Sequence, residues 1–139
     1  RFTEMSKQSG HNVPMSAIPF FRYLHVAKTE EQARENTRGP LNWVLDILQW
    51  RRTFDRGSEV HEHLEDWRRD RTELPMSYDH LYDKRAIIGT PEQCLAKILD
   101  LKNAGIELFG GNFAFGDMDD RKVRQSMELF AKEVMPHLG

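Results

Sequence analysis

Residues 86–109 read AIIGTPEQCLAKILDLKNAGIELF, and this segment specifies a strand, a helix and a second strand in succession. The apolar run at 86–89 predicts a short buried strand. Thr90 and Gln93 have the spacing of a capping box, with Pro91 at the first helical position, where its missing N–H costs nothing. We therefore expect a strand that turns directly into a helix.

The end of this helix is also marked in the sequence. Asn103-Ala104-Gly105 predicts a terminus, because glycine adopts the left-handed conformation of a C′ residue without strain. Residues 106–109 then predict a strand that finishes at Gly110-Gly111-Asn112. The last helix is predicted from an apolar face at spacings of three and four, formed by Val123, Met127, Phe130, Ala131 and Val134.

Upstream, residues 18–27 are rich in aromatic and β-branched types and predict another strand. Thr29 follows as a helix cap, so a helix should start near Glu30. Gly39-Pro40 is expected to interrupt it, because proline lacks the N–H that continues a helix. A second helical run should then end near Arg52, with an apolar face of Leu41, Val44, Leu45, Leu48 and, more loosely, Ile47.

The order of these elements predicts an α/β architecture. Strands separated by helices pair in parallel through right-handed crossovers, and short apolar strands are typical of sheets covered on both faces. The 139 residues fit one domain, and the charged segment 53–85 is interpreted as a variable insertion, part helical. A free-standing α/β signalling-type domain would need more strands than the sequence predicts.

Composition excludes several classes of protein. The formal net charge of −2 is unlike that of a nucleic-acid binder. No apolar run approaches the roughly 20 residues that cross a bilayer, and the first ten residues form no signal peptide. Cys94 is the single cysteine, so no internal disulfide can form. We expect a soluble, cytoplasmic protein with Cys94 as an inert, partly buried helix residue.

Three separated segments carry a family resemblance. Residues 87–98 read IIGTPEQCLAKI, residues 104–109 read AGIELF, and residues 126–138 read SMELFAKEVMPHL. Together with VAKTEEQA at 26–33, they closely resemble the C-terminal part of luciferase-like flavin-dependent monooxygenases. The resemblance is strong over about a third of the chain, within 87–138, and weaker over 53–85.

The resemblance implies both a fold and a cofactor. Members of this family are (β/α)8 TIM barrels in which reduced FMN, usually supplied by a separate reductase, reacts with dioxygen and a small-molecule substrate is oxidised. A barrel has eight strands and roughly 250 residues. Residues 1–139 are thus expected to form one partial barrel domain with about the last three strands, and the first residue, Arg1, suggests that upstream units are missing.

A partial barrel would leave open strand edges that favour pairing with another chain, so we expect a homo-oligomer. Much of the flavin pocket would then lie upstream of Arg1. Two functions remain open: a fragment of an FMN-dependent monooxygenase, or a truncated, catalytically incompetent barrel module with a structural or interaction role.

Functional residues of such barrels lie at the carboxyl ends of strands. That rule nominates His25, Gly110, Gly111, Asn112 and Phe113 as cofactor-binding residues. The glycines would let the backbone approach a flat ring, Asn112 would hydrogen-bond to the ligand, and Phe113 with Phe115 would wall the pocket. The alternatives are a tight turn at Gly110-Gly111, packing roles for both phenylalanines, and a structural role for His25.

No metal site is expected. His61 and His63 lie two residues apart and would point to different sides of a helix, whereas zinc-binding helices place histidines four apart. A solvated, charged helix explains these residues better. The three tryptophans, Trp43, Trp50 and Trp67, are expected to pack in the core or an interface, and no catalytic residue can be assigned.

Overall fold

The computed structural model describes residues 2–11, 13–55 and 77–139. Most of the predicted insertion, including His61, His63 and Trp67, lies outside these ranges. The principal elements in chain order are α1 (Phe2–Gln8), β1 (Pro19–Val26), α2 (Glu30–Asp55), β2 (Ala86–Gly89), α3 (Pro91–Asn103), β3 (Leu108–Asn112) and α4 (Asp120–Glu133). Shorter helical turns occupy Met15–Ala17, Tyr78–His80, Leu81–Arg85 and Met135–His137.

The described strands form one parallel sheet with β1 in the centre. The carboxyl half of β1, from Tyr23 to Val26, pairs with β2. Its amino half, from Pro19 to Tyr23, pairs with β3 on the other side. The predicted α/β class with parallel strands is therefore confirmed.

Helices cover the sheet on both faces. Leu41 and Val44 of α2 belong to one buried cluster with Ala86 and Ile88. A second cluster on the opposite face joins Leu24 and Ile87 to Cys94 and Ile98 of α3 and to Val134 just beyond α4. The charged segment also contributes to the core at its end, where Leu81 and Tyr82 are buried in the first cluster.

The two-faced packing follows from the strand order. The chain moves from β1 to β2 and then back across β1 to β3. Since parallel crossovers are right-handed, a reversal of direction places the second connecting helix on the opposite face. In a closed barrel each strand lies beside the next one in sequence and all the helices lie outside. The strand order β2-β1-β3 therefore differs from the order of a closed barrel, in which β2 would lie between β1 and β3.

The prediction that Gly39-Pro40 ends a helix was wrong. α2 runs unbroken from Glu30 to Asp55 with Pro40 inside it. Leu41, Val44 and Leu45, which follow the proline directly, are all buried against the sheet. Burial of three large apolar side chains at about 1.5–3 kcal/mol each outweighs the roughly 3 kcal/mol cost of an internal proline.

The predicted start of α2 and both ends of α3 are confirmed. The Gln32 N–H donates to Thr29 Oγ1 at 3.1 Å. Both hydrogen bonds of the Thr90–Gln93 capping box are present around Pro91. Gly105 follows α3 with a φ of +91°, as a C′ glycine should.

Two predicted details of the C-terminal region were wrong. The strand predicted from residue 106 starts at Leu108 and ends at Asn112, so Gly110 and Gly111 lie within it and the alternative of a tight turn there does not hold. In α4, Met127 is 49% exposed and Ala131 is also exposed, whereas Ser126 is buried. The side of α4 that meets the sheet is therefore centred on Ser126.

The structure also bears on the single cysteine and on the expectation that no segment crosses a membrane. Cys94 is fully buried, and burial raises the pKa of its thiol to about 12. Cys94 is thus more buried than predicted, and its thiol is held in the neutral form at neutral pH. Within the described parts of the chain, no helix is both long and apolar enough to cross a membrane.

Candidate functional site

The central strand extends beyond the end of its neighbour β3. β3 stops at Asn112, opposite Tyr23, so Leu24, His25 and Val26 have no strand partner on that edge. The Val26 N–H instead donates to the hydroxyl of Ser126 in α4 at 2.8 Å. A serine side chain thus replaces a strand at the carboxyl end of the sheet.

A cavity of about 380 Å³ opens at this edge, between the start of α2 and one side of α4. Its volume lies in the usual range for small-molecule sites. The backbone of its floor comes from the end of β1, and Leu129 supplies an apolar contact. Its polar lining residues are His25, Lys28, Gln32, Asn36, Lys122, Gln125, Ser126, Glu128 and Lys132.

His25 and Ser126 are buried polar residues of this cavity, each with 1% of its surface exposed. The Nε2 of His25 lies 3.2 Å from the Asn36 amide nitrogen. Because an amide NH₂ only donates, Nε2 accepts and the ring proton sits on Nδ1. Nδ1 is buried and has no hydrogen-bond partner.

The ring of His25 is neutral at neutral pH. Burial lowers its pKa to about 4, and the positive charge of Lys122 acts in the same direction. A neutral ring with the proton on Nδ1 offers a hydrogen-bond donor to an acceptor atom. At neutral pH His25 therefore can orient a ligand, but it is not poised to exchange protons with it.

Three lysines bring positive charge to the lining of the cavity. Lys28, Lys122 and Lys132 form no ion pair within the described residues, and Glu128 is the sole lining carboxylate. Gln32, Asn36, Gln125 and Ser126 add uncharged hydrogen-bonding groups. The cavity therefore carries a net positive charge.

The other predicted site residues lie elsewhere. Gly110, Gly111 and Asn112 are in β3, and Asn112 pairs with Tyr23, two residues before His25. Phe113 packs edge-on against Phe130 with ring centroids 5.4 Å apart. The residues lining the described cavity include His25 but none of these four.

The space beside the glycines is filled by the chain's own side chains. A Cβ on Gly110 would collide with the ring of Phe21, and one on Gly111 would lie 2.9 Å from the Leu24 side chain. Phe115 is buried against Tyr23, with ring centroids 5.0 Å apart. Phe113 and Phe115 thus pack against other rings of the chain, as the alternative for these two residues states, and the role of Gly110 and Gly111 in cofactor binding stays a prediction.

Several cavity residues were missed from the sequence. Lys122, Ser126 and Leu129 lie on one side of α4, and their spacings of four and three follow the helical repeat. The sequence signal for these residues was a mostly polar stripe along α4, next to the apolar face from which the helix was predicted. Within the described residues, no group of three or more His, Cys, Asp or Glu side chains could hold a metal ion.

The solved structures that are similar to this chain include two monooxygenases and a reductase. The chain is similar in fold to the oxygenating constituent of 3,6-diketocamphane monooxygenase from Pseudomonas putida, a type II Baeyer-Villiger monooxygenase in complex with FMN. That match has a TM-score of 0.60 and 22% identity, over 98% of this chain and 38% of that one. A monooxygenase from Streptomyces bottropensis matches with a TM-score of 0.61 and 16% identity, over 99% and 36%.

A third similar structure is the coenzyme F420-dependent tetrahydromethanopterin reductase from Methanopyrus kandleri. Its TM-score is 0.55 and its identity 20%, over 98% of this chain and 40% of that one. The chain thus spans well under half the length of these three proteins. At such identities the likeness establishes the fold, a partial α/β barrel, and no more.

The sequence itself gives the family. No curated protein matches the chain. The profile of the luciferase-like monooxygenases matches residues 1–108, which include β1, α2, β2 and α3. The matched range leaves out 126–138, which carries part of the resemblance described above, but it covers most of the chain. The chain therefore belongs to the luciferase-like monooxygenase family.

Proposed function

We propose that this chain is part of an FMN-dependent monooxygenase that uses reduced flavin and dioxygen to oxidise a small organic substrate. The observation that carries the proposal is the family match over residues 1–108, together with a cavity at the carboxyl end of the sheet. In α/β proteins, ligands bind at this end of the strands. The diketocamphane enzyme, which has a similar fold, was solved with FMN.

The residues of the cavity fit one part of such a ligand. The unpartnered Nδ1–H of His25 would donate to a carbonyl or ring acceptor of the flavin or substrate. Asn112 remains a proposed polar contact at the exposed end of β3. Bound reduced FMN would supply the electrons for oxygen activation.

The chain's own residues would position the ligand and limit the access of water. Ser126 holds the edge of β1 through its hydrogen bond with the Val26 N–H, and Asn36 holds the ring of His25. Leu129 gives the cavity an apolar wall. Gly110, Gly111 and Phe113 would then support the site from a distance, because they shape the packing of Phe21, Leu24 and Phe130.

Flavin titration tests this proposal. Oxidised FMN, followed by its fluorescence, and reduced FMN, titrated under anaerobic conditions, are expected to bind saturably to the 139-residue chain. His25→Gln should weaken binding by about tenfold through loss of a buried hydrogen bond. His137→Gln, at an exposed histidine away from the cavity, is the matched control.

The alternative is a truncated barrel module with a structural or interaction role. Its supporting observation is that the chain spans only 36–40% of the similar enzymes. Failure of both flavin forms to bind would favour this alternative and reject catalysis by the isolated chain. We further propose a separate flavin reductase as electron source and a homo-oligomer as the assembled state.

A further inference from the structure

The amino half of β1 has an edge that no described strand covers. β2 begins at Ala86, opposite Tyr23, so residues 19–22 have no strand partner on the β2 side within the described ranges. β3 pairs with the same residues on the opposite side. The central strand of the sheet is therefore an edge strand over this half of its length.

The hydrogen bonds of β1 show which backbone groups face this free edge. Ala27, directly after the strand, donates its N–H to the Gly89 carbonyl on the β2 side at 3.0 Å. Because the backbone groups of successive residues point to alternate edges of a strand, the odd-numbered residues of β1 face the β2 side. Phe21 thus presents an N–H and a carbonyl to the free edge, and Pro19 presents a carbonyl.

Two arginines bring positive charge to the same edge. Arg22 Nη1 donates to the Phe21 carbonyl at 3.0 Å, and its guanidinium lies 3.8 Å from the centroid of the Phe20 ring. Arg85 directly precedes Ala86 in the chain. Burial and, next, the positive charge of Arg85 lower the pKa of Arg22. Neither guanidinium forms an ion pair within the described parts of the chain.

This arrangement of charges is unfavourable until an anion joins it. Two nearby like charges repel each other, and Arg22 is half-buried, so salt and water screen its charge less than on an open surface. A carboxylate between the two guanidiniums would replace the repulsion with charge-assisted hydrogen bonds. A strand edge, for its part, pairs with an extended backbone. The two features together fit an extended peptide that carries an acidic side chain.

We propose that the free edge of residues 19–22 binds an extended acidic segment of another protein by strand addition. One residue of that segment accepts the Phe21 N–H and donates its own N–H to the Pro19 carbonyl, as a residue of a parallel strand does. A glutamate or aspartate of the segment is held by Arg22 and Arg85. This contact lies at the opposite end of β1 from the cavity and does not involve flavin.

A second copy of this chain does not fit the free edge. Symmetric pairing of two such edges would bring Arg22 and Arg85 of both copies together, and repulsion among four cations opposes it. The proposed homo-oligomer must therefore use another surface. The partner at the free edge is a different chain of opposite charge.

Peptide titration tests strand addition. The probe is the blocked pentapeptide Thr-Val-Glu-Val-Thr, compared with the same peptide carrying glutamine for glutamate and with one whose peptide nitrogens are methylated. Calorimetry should show saturable binding of the glutamate peptide, about tenfold weaker binding of the glutamine peptide and no binding of the methylated one. The ¹⁵N resonance of the Phe21 amide should shift on binding. The net charge of −2 gives the chain no general attraction for an acidic peptide.

Variants of equal charge change locate the site. Arg22→Gln should weaken binding of the glutamate peptide by about tenfold, because Arg22 is half-buried. Arg85→Gln, at an exposed position, should weaken it several-fold. Arg124→Gln, at an exposed arginine of α4, should leave the affinity unchanged. Both losses should vanish with the glutamine peptide, which a general defect in folding would not produce. Circular dichroism checks that the three variants fold.

Any of four results overturns the proposal. The first three are no saturable binding of the glutamate peptide at millimolar concentration, equal binding of the glutamine or methylated peptide, and equal losses in Arg85→Gln and Arg124→Gln. The fourth is self-association of the parent chain that Arg85→Gln abolishes, which would assign the free edge to a second copy. Because no flavin is present, failure of flavin binding would reject the proposed function and leave this inference intact.

Discussion

At the scale of single residues, His25 makes the stability of the folded chain depend on pH. Its pKa falls from 6.5 in the unfolded chain to about 4 in the fold, first through burial and then through Lys122. Between these values the unfolded chain binds more protons than the folded one, so stability rises with pH. The free energy of unfolding should rise by about 3 kcal/mol between the folded-state pKa of His25 and its unfolded-state pKa. Above pH 6.5 His25 is neutral in both states and adds no further dependence on pH.

Urea unfolding at several pH values, from about 4 to about 7.5, measures this dependence. His25→Gln should flatten the pH profile in that window, because glutamine does not titrate. His137→Gln should retain the slope of the parent chain, since His137 is exposed. A parent chain equally stable at about pH 4.5 and about pH 7 would contradict a buried neutral His25.

Ser126 offers a second test at this scale. Its hydroxyl accepts the Val26 N–H at 2.8 Å in a buried setting, on the edge that β3 leaves uncovered. Ser126→Ala should lower the free energy of unfolding by about 1–3 kcal/mol, because a buried donor loses its acceptor. Met127→Ala, one residue along on the exposed side, should change it by less than about 0.5 kcal/mol.

The residue-level site was only partly predictable from the sequence. The rule that ligands gather at strand ends identified His25 because it depends only on where β1 ends. Ser126 and Lys122 lie far along the chain from β1 and meet it only through the fold. A search for apolar periodicity passes over a buried serine, whose position is set by the backbone donor that it satisfies.

At the scale of elements, the loop between β3 and α4 depends on one glycine. Gly116 has a φ of +61°, and a Cβ there would lie 2.7 Å from Pro40 Cα in α2. Gly116→Ala thus adds an overlap with backbone to the strain of a left-handed residue. We expect a loss of about 3 kcal/mol or more in the free energy of unfolding.

Gly105→Ala is the matched control for this prediction. Gly105 also has a positive φ, +91°, but nothing lies within 4 Å of the place that a Cβ would occupy. Its substitution should therefore cost only the left-handed strain, about 1–2 kcal/mol. The free energies of unfolding of both variants are measured by thermal or urea unfolding. Equal losses in Gly116→Ala and Gly105→Ala would contradict the prediction, because the β3–α4 loop would then move away from Pro40 at no cost in free energy.

Elements with local signals were predicted well, and those decided by distant packing were not. Thr29, Thr90 and Gly105 fix helix ends through hydrogen bonds or φ angles within a few residues. The passage of α2 through Pro40 depends on apolar side chains buried against a sheet formed later in the chain. The exact span of β3 depends on its pairing with the amino half of β1.

At the scale of the whole molecule, class and family were predictable, but strand order was not. Parallel α/β pairing follows from the alternation of strands and helices. The choice between β1-β2-β3 and β2-β1-β3 depends on which edge of β1 receives the third strand. The sequences of 108–112 and 19–23 show no local feature that distinguishes these edges. The order found leaves the outer edges of β2 and β3 without a strand partner among the described residues.

The outer edge of β3, which is partly exposed, and a nearby apolar patch support the proposed homo-oligomer, whereas the residues of β2 are buried. Phe21 is 64% exposed and Leu108 is 47% exposed, and the pairing register places both on the same face of the sheet. Exposed strand edges with apolar neighbours favour association with a second chain. Sedimentation velocity should therefore show a rise in mean mass between low and high micromolar concentration.

A charge at the edge should prevent this association. Leu108→Lys places an ammonium on the outer strand β3, where a partner would need to desolvate it. We expect the variant to sediment as a monomer over the same range, whereas Met127→Lys, at an equally exposed position on α4, should associate as the parent does. A parent chain that stays monomeric throughout would reject association through the β3 edge. Loss of association in both variants would show that the chains associate through exposed apolar side chains in general. Leu108 and Met127 are about equally exposed, but only Leu108 lies on a strand edge.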